Sequence, residues 1–261
     1  MAVLSYELVR SLGIFERRRL VTAAVTVGFV YHVFYEFFDH VGPQLRWWIW
    51  NPSAPTNEPL LASVPLGSMV NFALAGPIVL TLLVRLLVSR HREAPTLPTR
   101  TLLGRSALVG LLIPLGLVIA GLPVTLAGGF GEKLNHTAQG VVYWTALVVV
   151  AAIAIAVLVD AHRSRADTQA LDADGHRYLL THASIWLGAM GVSWMAALPA
   201  YFAAVDGITS DGTPIGSLPY ALWSLAASLT IAWLALAGWS TVEKASTPDV
   251  AAVQEQPAVP T

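Results

Sequence analysis

The 261-residue sequence contains no cysteine, and charged residues make up only 12% of it. The absence of cysteine excludes disulfides, thiolate metal sites, iron–sulfur clusters and a cysteine nucleophile. With 55% hydrophobic residues and a mean hydropathy of +0.62, the chain is too apolar for a soluble domain, in which about 25% of residues are charged. The sequence therefore predicts an integral membrane protein.

Several function classes are excluded by what else is missing. A net charge of −1 leaves no clustered lysine and arginine for nucleic acid, so no nucleic-acid partner is expected. Neither Lys133 nor Lys244 lies in an apolar segment, which excludes a retinal Schiff base within the membrane. The glycines at 128, 129 and 131 lack the lysine of a phosphate-binding loop, and no Gly-x-Ser-x-Gly sequence occurs.

Six charge-poor segments are long enough to cross the membrane, because a spanning helix needs about 20 mostly apolar residues. We predict spans at Leu20 to Phe38, 65–88, 102–127, 137–159, 178–204 and 217–240. The predicted fold class is all-α, a polytopic bundle of six transmembrane helices formed by residues 20–240. Residues 1–19 are predicted to be a cytoplasmic segment with a short amphipathic helix, and residues 241–261 a disordered cytoplasmic tail.

The fifteen lysines and arginines predict the orientation, because basic residues are retained on the cytoplasmic side. Thirteen of them lie on one side of the predicted bundle. They precede span one, lie around the loop between spans two and three or the loop between spans four and five, or follow span six. Only Arg46 and Lys133 lie on the opposite side. Both termini are therefore predicted to be cytoplasmic, in a multi-pass protein of the cell membrane.

The densest polar chemistry lies in the outer half of span one, in the stretch YHVFYEFFDH that ends at His40. At 100° per residue, Glu36, Asp39 and His40 lie at about 40°, −20° and 80° from His32, on one helical stripe. Ionisable groups inside a membrane usually face the bundle interior or a water-filled cavity. The stripe is therefore expected to point inward. The alternatives are a structural ion pair for His32 with Glu36, and a position in water for Asp39 and His40.

Further polar and aromatic side chains are predicted at the depth of this stripe. Asn71 is an early residue of span two, and His136 begins span four on the same side. Three tryptophans follow span one directly: Trp47, Trp48 and Trp50. Together these residues predict an aromatic-roofed pocket that opens outward. Their alternatives are structural, since tryptophans form interfacial belts, Ser68 is a candidate cap of span two and Asn135 of span four.

The favoured function is a membrane enzyme, of the lyase or isomerase type, that acts on a lipophilic isoprenoid or lipid-like substrate by acid–base chemistry. Glu36 is the predicted general acid, and His32 and Asp39 are the partners that orient it or take the proton back. Aromatic faces stabilise cations, which suits protonation of an alkene for cyclisation, hydration or isomerisation. This function requires no cofactor. The predicted substrate-binding residues are Tyr35, Trp47, Trp48, Asn71 and His136.

Two other functions fit the same residues. One is an oxidoreductase with His32, Glu36 and His136 as ligands of a divalent metal such as zinc, iron or copper, or with haem between the two histidines. Because residues eight apart on a helix are separated by about 12 Å, His32, Glu36 and His40 are not expected to bind one ion together. The other is a small transporter or a subunit of a membrane complex, in which one buried acid relays protons.

Overall fold

Helices dominate the computed structural model, which describes residues 1–51, 53–54, 57–89, 97–130, 133–164 and 173–236. In chain order they are α1 (Ala2–Ser11), α2 (Ile14–Arg17), α3 (Leu20–Asp39), a π-helical segment (Ser68–Ala75) that continues as α4 (Gly76–Leu87), α5 (Thr99–Gly128), α6 (His136–Arg163), α7 (Ala173–Phe202) and α8 (Leu218–Leu236). Two short strands precede the π-helical segment and pair antiparallel: β1 (Pro59–Leu61) and β2 (Val64–Pro65).

Six of these helices are long and apolar enough to cross a membrane, when the π-helical segment and α4 are taken as one. This confirms the predicted all-α bundle of six spans, and each predicted span overlaps one helix. The sixth predicted span continues beyond the end of α8 at Leu236. Its last residues and the predicted tail at 241–261 lie outside the described residues.

The central helix of the bundle is α3. It packs against α1, the π-helical segment, α4, α6 and α8. Of its spanning residues 67% are buried, against 6% for α5. Helix α8 runs antiparallel to it, because Ser217 contacts His40 at one end of α3 whereas Trp223 packs against Phe29 nearer the middle.

Helix α1 closes one end of the bundle, which we call the α1 end. The amphipathic helix expected in this segment is α1, and its apolar face packs against α3, α7 and α8. Leu8 and Val9 are fully buried there. Outside this core, Arg18 Nη2 lies 2.6 Å from Asp160 Oδ2 of α6.

The opposite end, where α3 finishes, is covered by the chain between α3 and the π-helical segment and by the loop between α7 and α8. The side-chain amide of Gln44 donates to the carbonyl of Ala197 at 2.7 Å. The indole N–H of Trp194 donates to the carbonyl of Phe37 at 2.8 Å. These bonds attach the last turn of α3 and the loop that follows it to α7.

The π-helical segment directly precedes Pro77, the second residue of α4. The backbone N–H of Gly76 bonds the carbonyl of Asn71, five residues earlier. Proline has no N–H to donate, and the wider turn before it is typical of π-helical insertions near functional sites. It turns Ser68 towards α3, where its hydroxyl contacts the polar stripe.

Candidate functional site

The four ionisable residues of the α3 stripe are all buried in the bundle. His32, Glu36, Asp39 and His40 each have 0% exposed surface. The stripe thus points inward, as its helical spacing predicts. The alternative that Asp39 and His40 lie in water is wrong, because the loop before α8 folds over the end of α3 and covers them.

The carboxyl group of Glu36 lies between two imidazoles, one helical turn before it and one after it. His32 Nδ1 is 3.7 Å from Oε1, and His40 Nε2 is 3.4 Å from Oε2. Neither carboxyl oxygen has a hydrogen-bond partner among the residues that the structure describes. Buried polar atoms are usually paired, and an unpaired one costs free energy, so this arrangement calls for a chemical explanation.

The protonation of His40 is fixed by the backbone. The N–H of Ser217 donates to Nδ1 at 3.1 Å. Burial lowers the pKa of His40, one residue beyond the span, to about 4, against a smaller opposite effect of Asp39. Because a peptide N–H can only donate, the single proton of the neutral ring is on Nε2, the atom that faces Glu36.

The other imidazole is linked to α8. His32 Nε2 lies 2.7 Å from the hydroxyl of Tyr220, and the two rings meet edge to face. Tyr143 of α6 is buried next to Trp144, whose ring meets that of Tyr220 edge to face. The sequence places Tyr220 at the start of span six, at the depth of the stripe, but does not show which way its side chain faces. Nothing in the sequence marks Tyr143 as part of a site.

Asp39 has a partner on the π-helical segment. The hydroxyl of Ser68 donates to Asp39 Oδ2 at 2.6 Å, and the phenol of Tyr35 lies 3.3 Å from the same hydroxyl. The interpretation of Ser68 as a helix cap is therefore wrong, since its side chain makes no capping bond. The second carboxyl oxygen of Asp39 is unpartnered in the described part of the chain.

A groove of about 1000 Å³ opens beyond the end of α3. Trp48 and Trp50 line it with several prolines and isoleucines, whereas Trp47 packs on Phe38 and is 45% exposed. The polar lining of the groove includes four charged residues: Arg46, Glu58, Asp206 and Asp211. Arg46 donates to the backbone carbonyl of Asp211 at 2.6 Å. We call this end of the bundle the groove end.

Only a short piece of backbone separates the groove from the buried stripe. Gly216 and Ser217 belong to the lining of the groove, and Ser217 also bonds His40. Gly216 lies so close to α3 that a Cβ there would collide with the carbonyl of His40. The groove and the stripe are therefore adjacent, and the backbone at Gly216 and Ser217 lies between them.

The predicted site residues Asn71 and His136 lie away from both the stripe and the groove. Asn71 faces α5, with its Oδ1 3.8 Å from the position that a Cβ would take at Gly121. It lines a hollow of about 100 Å³ with Gln139, which is 3.1 Å from His136 Nδ1. The structure thus brings Asn71 and His136 near one another through Gln139, and not to Glu36. Asn135 caps α6, as its structural interpretation predicts, by accepting from the N–H of Ala138.

The side chains that the structure describes do not form a metal site. Within the described ranges, no three histidine, aspartate or glutamate side chains converge closely enough to hold an ion. The set His32, Glu36 and His136 is divided between the stripe and the hollow beside α5. A haem bridge between the two histidines would have to displace Tyr220 from His32 and Gln139 from His136.

The chemistry open to this site is proton transfer among two buried carboxyl groups, two imidazoles and the phenols of Tyr35 and Tyr220. Comparison with protein-family models, with curated proteins and with solved structures finds no match to this chain.

Proposed function

We propose that this protein is a membrane-embedded enzyme that transfers a proton to or from a lipophilic, isoprenoid or lipid-like substrate, with Glu36 holding the proton. The observation that carries the proposal is the surroundings of that carboxyl group. It is fully buried, its oxygens have no hydrogen-bond partner within the described ranges, and each oxygen faces an imidazole. A general acid needs a titratable group that is positioned and shielded from water.

The two histidines have different roles in this proposal. His40 presents a fixed N–H to Oε2, because its other nitrogen accepts from the backbone of Ser217. The acidic proton of Glu36 is then held on Oε1, towards His32. When the proton leaves, the N–H of His40 stabilises the carboxylate that remains. Asp39, held by Ser68, is a second buried acid next to this pair.

The groove is the proposed substrate site. Its volume is in the range of ligand pockets, and indole, proline and isoleucine side chains suit a lipophilic molecule. Indole faces also favour positive charge that develops during protonation. Contact between substrate and Glu36 requires the backbone at Gly216 and Ser217 to move aside, since it lies between them. The proposed location is the cell membrane, with both termini cytoplasmic and the groove facing outward.

The test compares lipid extracts of cells that express the wild-type protein, Glu36→Gln or Glu16→Gln, analysed by mass spectrometry. Glu16 is exposed on α2 at the opposite end of the bundle and provides the matched control. We expect Glu36→Gln to abolish the lipid change that wild type and Glu16→Gln produce, because glutamine cannot supply the proton. Membrane-inserted protein is quantified in each case.

Two outcomes would overturn the proposal. One is an unchanged product pattern in Glu36→Gln at normal protein level. The other is stoichiometric zinc, iron or copper, or a haem absorption band, in purified wild-type protein that is lost in His32→Ala. That result would favour the oxidoreductase. If Glu36→Gln fails to accumulate, Glu36→Met in the same assay separates loss of folding from loss of the proton.

A further inference from the structure

One face of α8 carries three hydroxyl groups into the bundle. Tyr220, Ser224 and Ser228 are four residues apart, which places them within about 80° of one another on the helix. Both serines have 0% exposed surface, and neither Oγ has a hydrogen-bond partner among the described residues. We call these three residues the α8 hydroxyl stripe.

Several serine and threonine hydroxyls in the spans bond a carbonyl of their own helix. Thr230 of α8 donates to the carbonyl of Ala226, and Ser193 of α7 donates to that of Ala189, each at 2.8 Å. The two stripe serines make no such bond. A buried hydroxyl that is not used by its own helix needs another partner, and in protein interiors that partner is commonly an ordered water.

The stripe leads away from Glu36 towards the α1 end. Tyr220 bonds His32, and α8 runs antiparallel to α3, so Ser224 and Ser228 lie successively deeper in the bundle. Ser224 and Ser228 are separated by a helix rise of about 6 Å, which is too long for a direct bond between two serine hydroxyls and fits one bridging water. Ser5 of α1, also buried with an unpartnered Oγ in the described structure, lies at the end to which the stripe leads.

The two histidines differ in their ability to pass a proton on. His40 receives a peptide N–H on Nδ1, and a peptide N–H does not give up its proton. His32 has Glu36 on one ring nitrogen and a phenol on the other. A relay through an imidazole uses both nitrogens, so only His32 connects Glu36 to a further proton donor.

We propose that the α8 hydroxyl stripe is a hydrated path that returns a proton to Glu36 from the α1 end. This inference rests on the function proposed above. One proton enters Tyr220 from water at Ser224, while the phenol proton passes to His32 Nε2 and the Nδ1 proton passes to Oε1 of Glu36. The carboxylate becomes a carboxylic acid, the water at Ser224 regains its proton from the water at Ser228 and so from the α1 end, and His32 changes tautomer while staying neutral.

The test measures exchange of the Glu36 carboxyl proton for deuterium by time-resolved infrared spectroscopy, after detergent-solubilised protein is mixed with D₂O. The carboxyl band is identified by its loss in Glu36→Gln. We expect Ser224→Ala and Ser228→Ala each to slow the exchange by about tenfold or more, as loss of a proton-transfer link does. Ser193→Ala, which removes a hydroxyl already bonded to its own helix, leaves the rate unchanged.

A variant that keeps the hydroxyl group distinguishes a role of the serines in proton transfer from a role in helix packing. Ser224→Thr keeps the hydroxyl and adds a methyl group, so we expect exchange at close to the wild-type rate. If the serines serve only close packing, alanine is tolerated and threonine is not. The proposal is overturned by wild-type exchange in Ser224→Ala and Ser228→Ala, or by the absence of a carboxyl band assignable to Glu36. Absence of that band would also count against the enzyme function, because Glu36 would then hold no proton. Wild-type exchange in the two serine variants, with substrate conversion still lost in Glu36→Gln, would overturn the path and leave the enzyme function standing.

Discussion

The α1 end and the groove end of the bundle bury different kinds of side chain. At the α1 end the buried side chains are mostly apolar and include no ionisable group, although the hydroxyl of Ser5 is buried among them. The Arg18–Asp160 pair is at the surface, where the two side chains are 40% and 51% exposed. At the groove end, four ionisable residues are inside, with unpartnered atoms on all of them in the described part of the chain. Apolar burial stabilises by about 25 cal/mol per Å², whereas unpaired polar burial costs free energy. The apolar burial at the α1 end thus offsets the free-energy cost of the unpaired polar groups at the groove end.

The largest expected difference between the two ends is their accessibility in cells. Because the chain has no cysteine, a single introduced cysteine reports one position without interference. We expect a membrane-impermeant maleimide to label Ser53→Cys, beside the groove, in intact cells, and not Glu16→Cys at the α1 end. Both residues are exposed, and Glu16→Cys removes no basic residue.

Permeabilised cells supply the control, since both cysteines should then react. Labelling of Glu16→Cys but not Ser53→Cys in intact cells would invert the orientation. The groove would then face the cytoplasm, and the proton path of α8 would lead outward.

The second largest effect concerns stability at the α1 end. Leu8 is fully buried in the core that α1 shares with α3 and α8, so Leu8→Ala should lower the free energy of unfolding in detergent by about 2–5 kcal/mol. Val3, on the same helix, is 61% exposed, and Val3→Ala should change it by less than about 0.5 kcal/mol. Similar losses in the two variants would mean that α1 does not contribute to the core.

The architecture is predictable from the sequence because it depends on runs of apolar residues and on helical spacing. Charge-free length locates all six spans, and the 100° rule places His32 and Glu36 on the buried side of α3. The contacts that α8 and the loop before it make with the stripe are not predictable. Tyr220 is 188 residues from His32 along the chain, and its contact depends on how α8 rotates and slides against α3.

The positions of Asn71 and His40 show two other limits of the sequence. Asn71 is predicted at a suitable depth, but depth alone does not determine which way a side chain faces. In the π-helical segment its side chain faces α5 and not the stripe. The sequence allows His40 a place in water because it follows the span, and the loop that buries it comes from the far end of the chain.

The smallest expected effect concerns the hydrogen bond from Ser68 to Asp39 at the groove end, and tests whether it stabilises the buried carboxyl group. Ser68→Ala removes the donor to Asp39 and leaves that carboxyl oxygen buried without a partner, which should cost about 1–3 kcal/mol of unfolding free energy. Ser53→Ala, at an exposed loop position, should cost less than about 0.5 kcal/mol. Combining Ser68→Ala with Asp39→Asn isolates the coupling, because two residues in contact do not act additively. If Ser68→Ala costs as much in the Asp39→Asn background as in the wild-type protein, the hydroxyl fills space and does not hold the carboxyl. The groove end would then retain Asp39, like Glu36, without support from its neighbours.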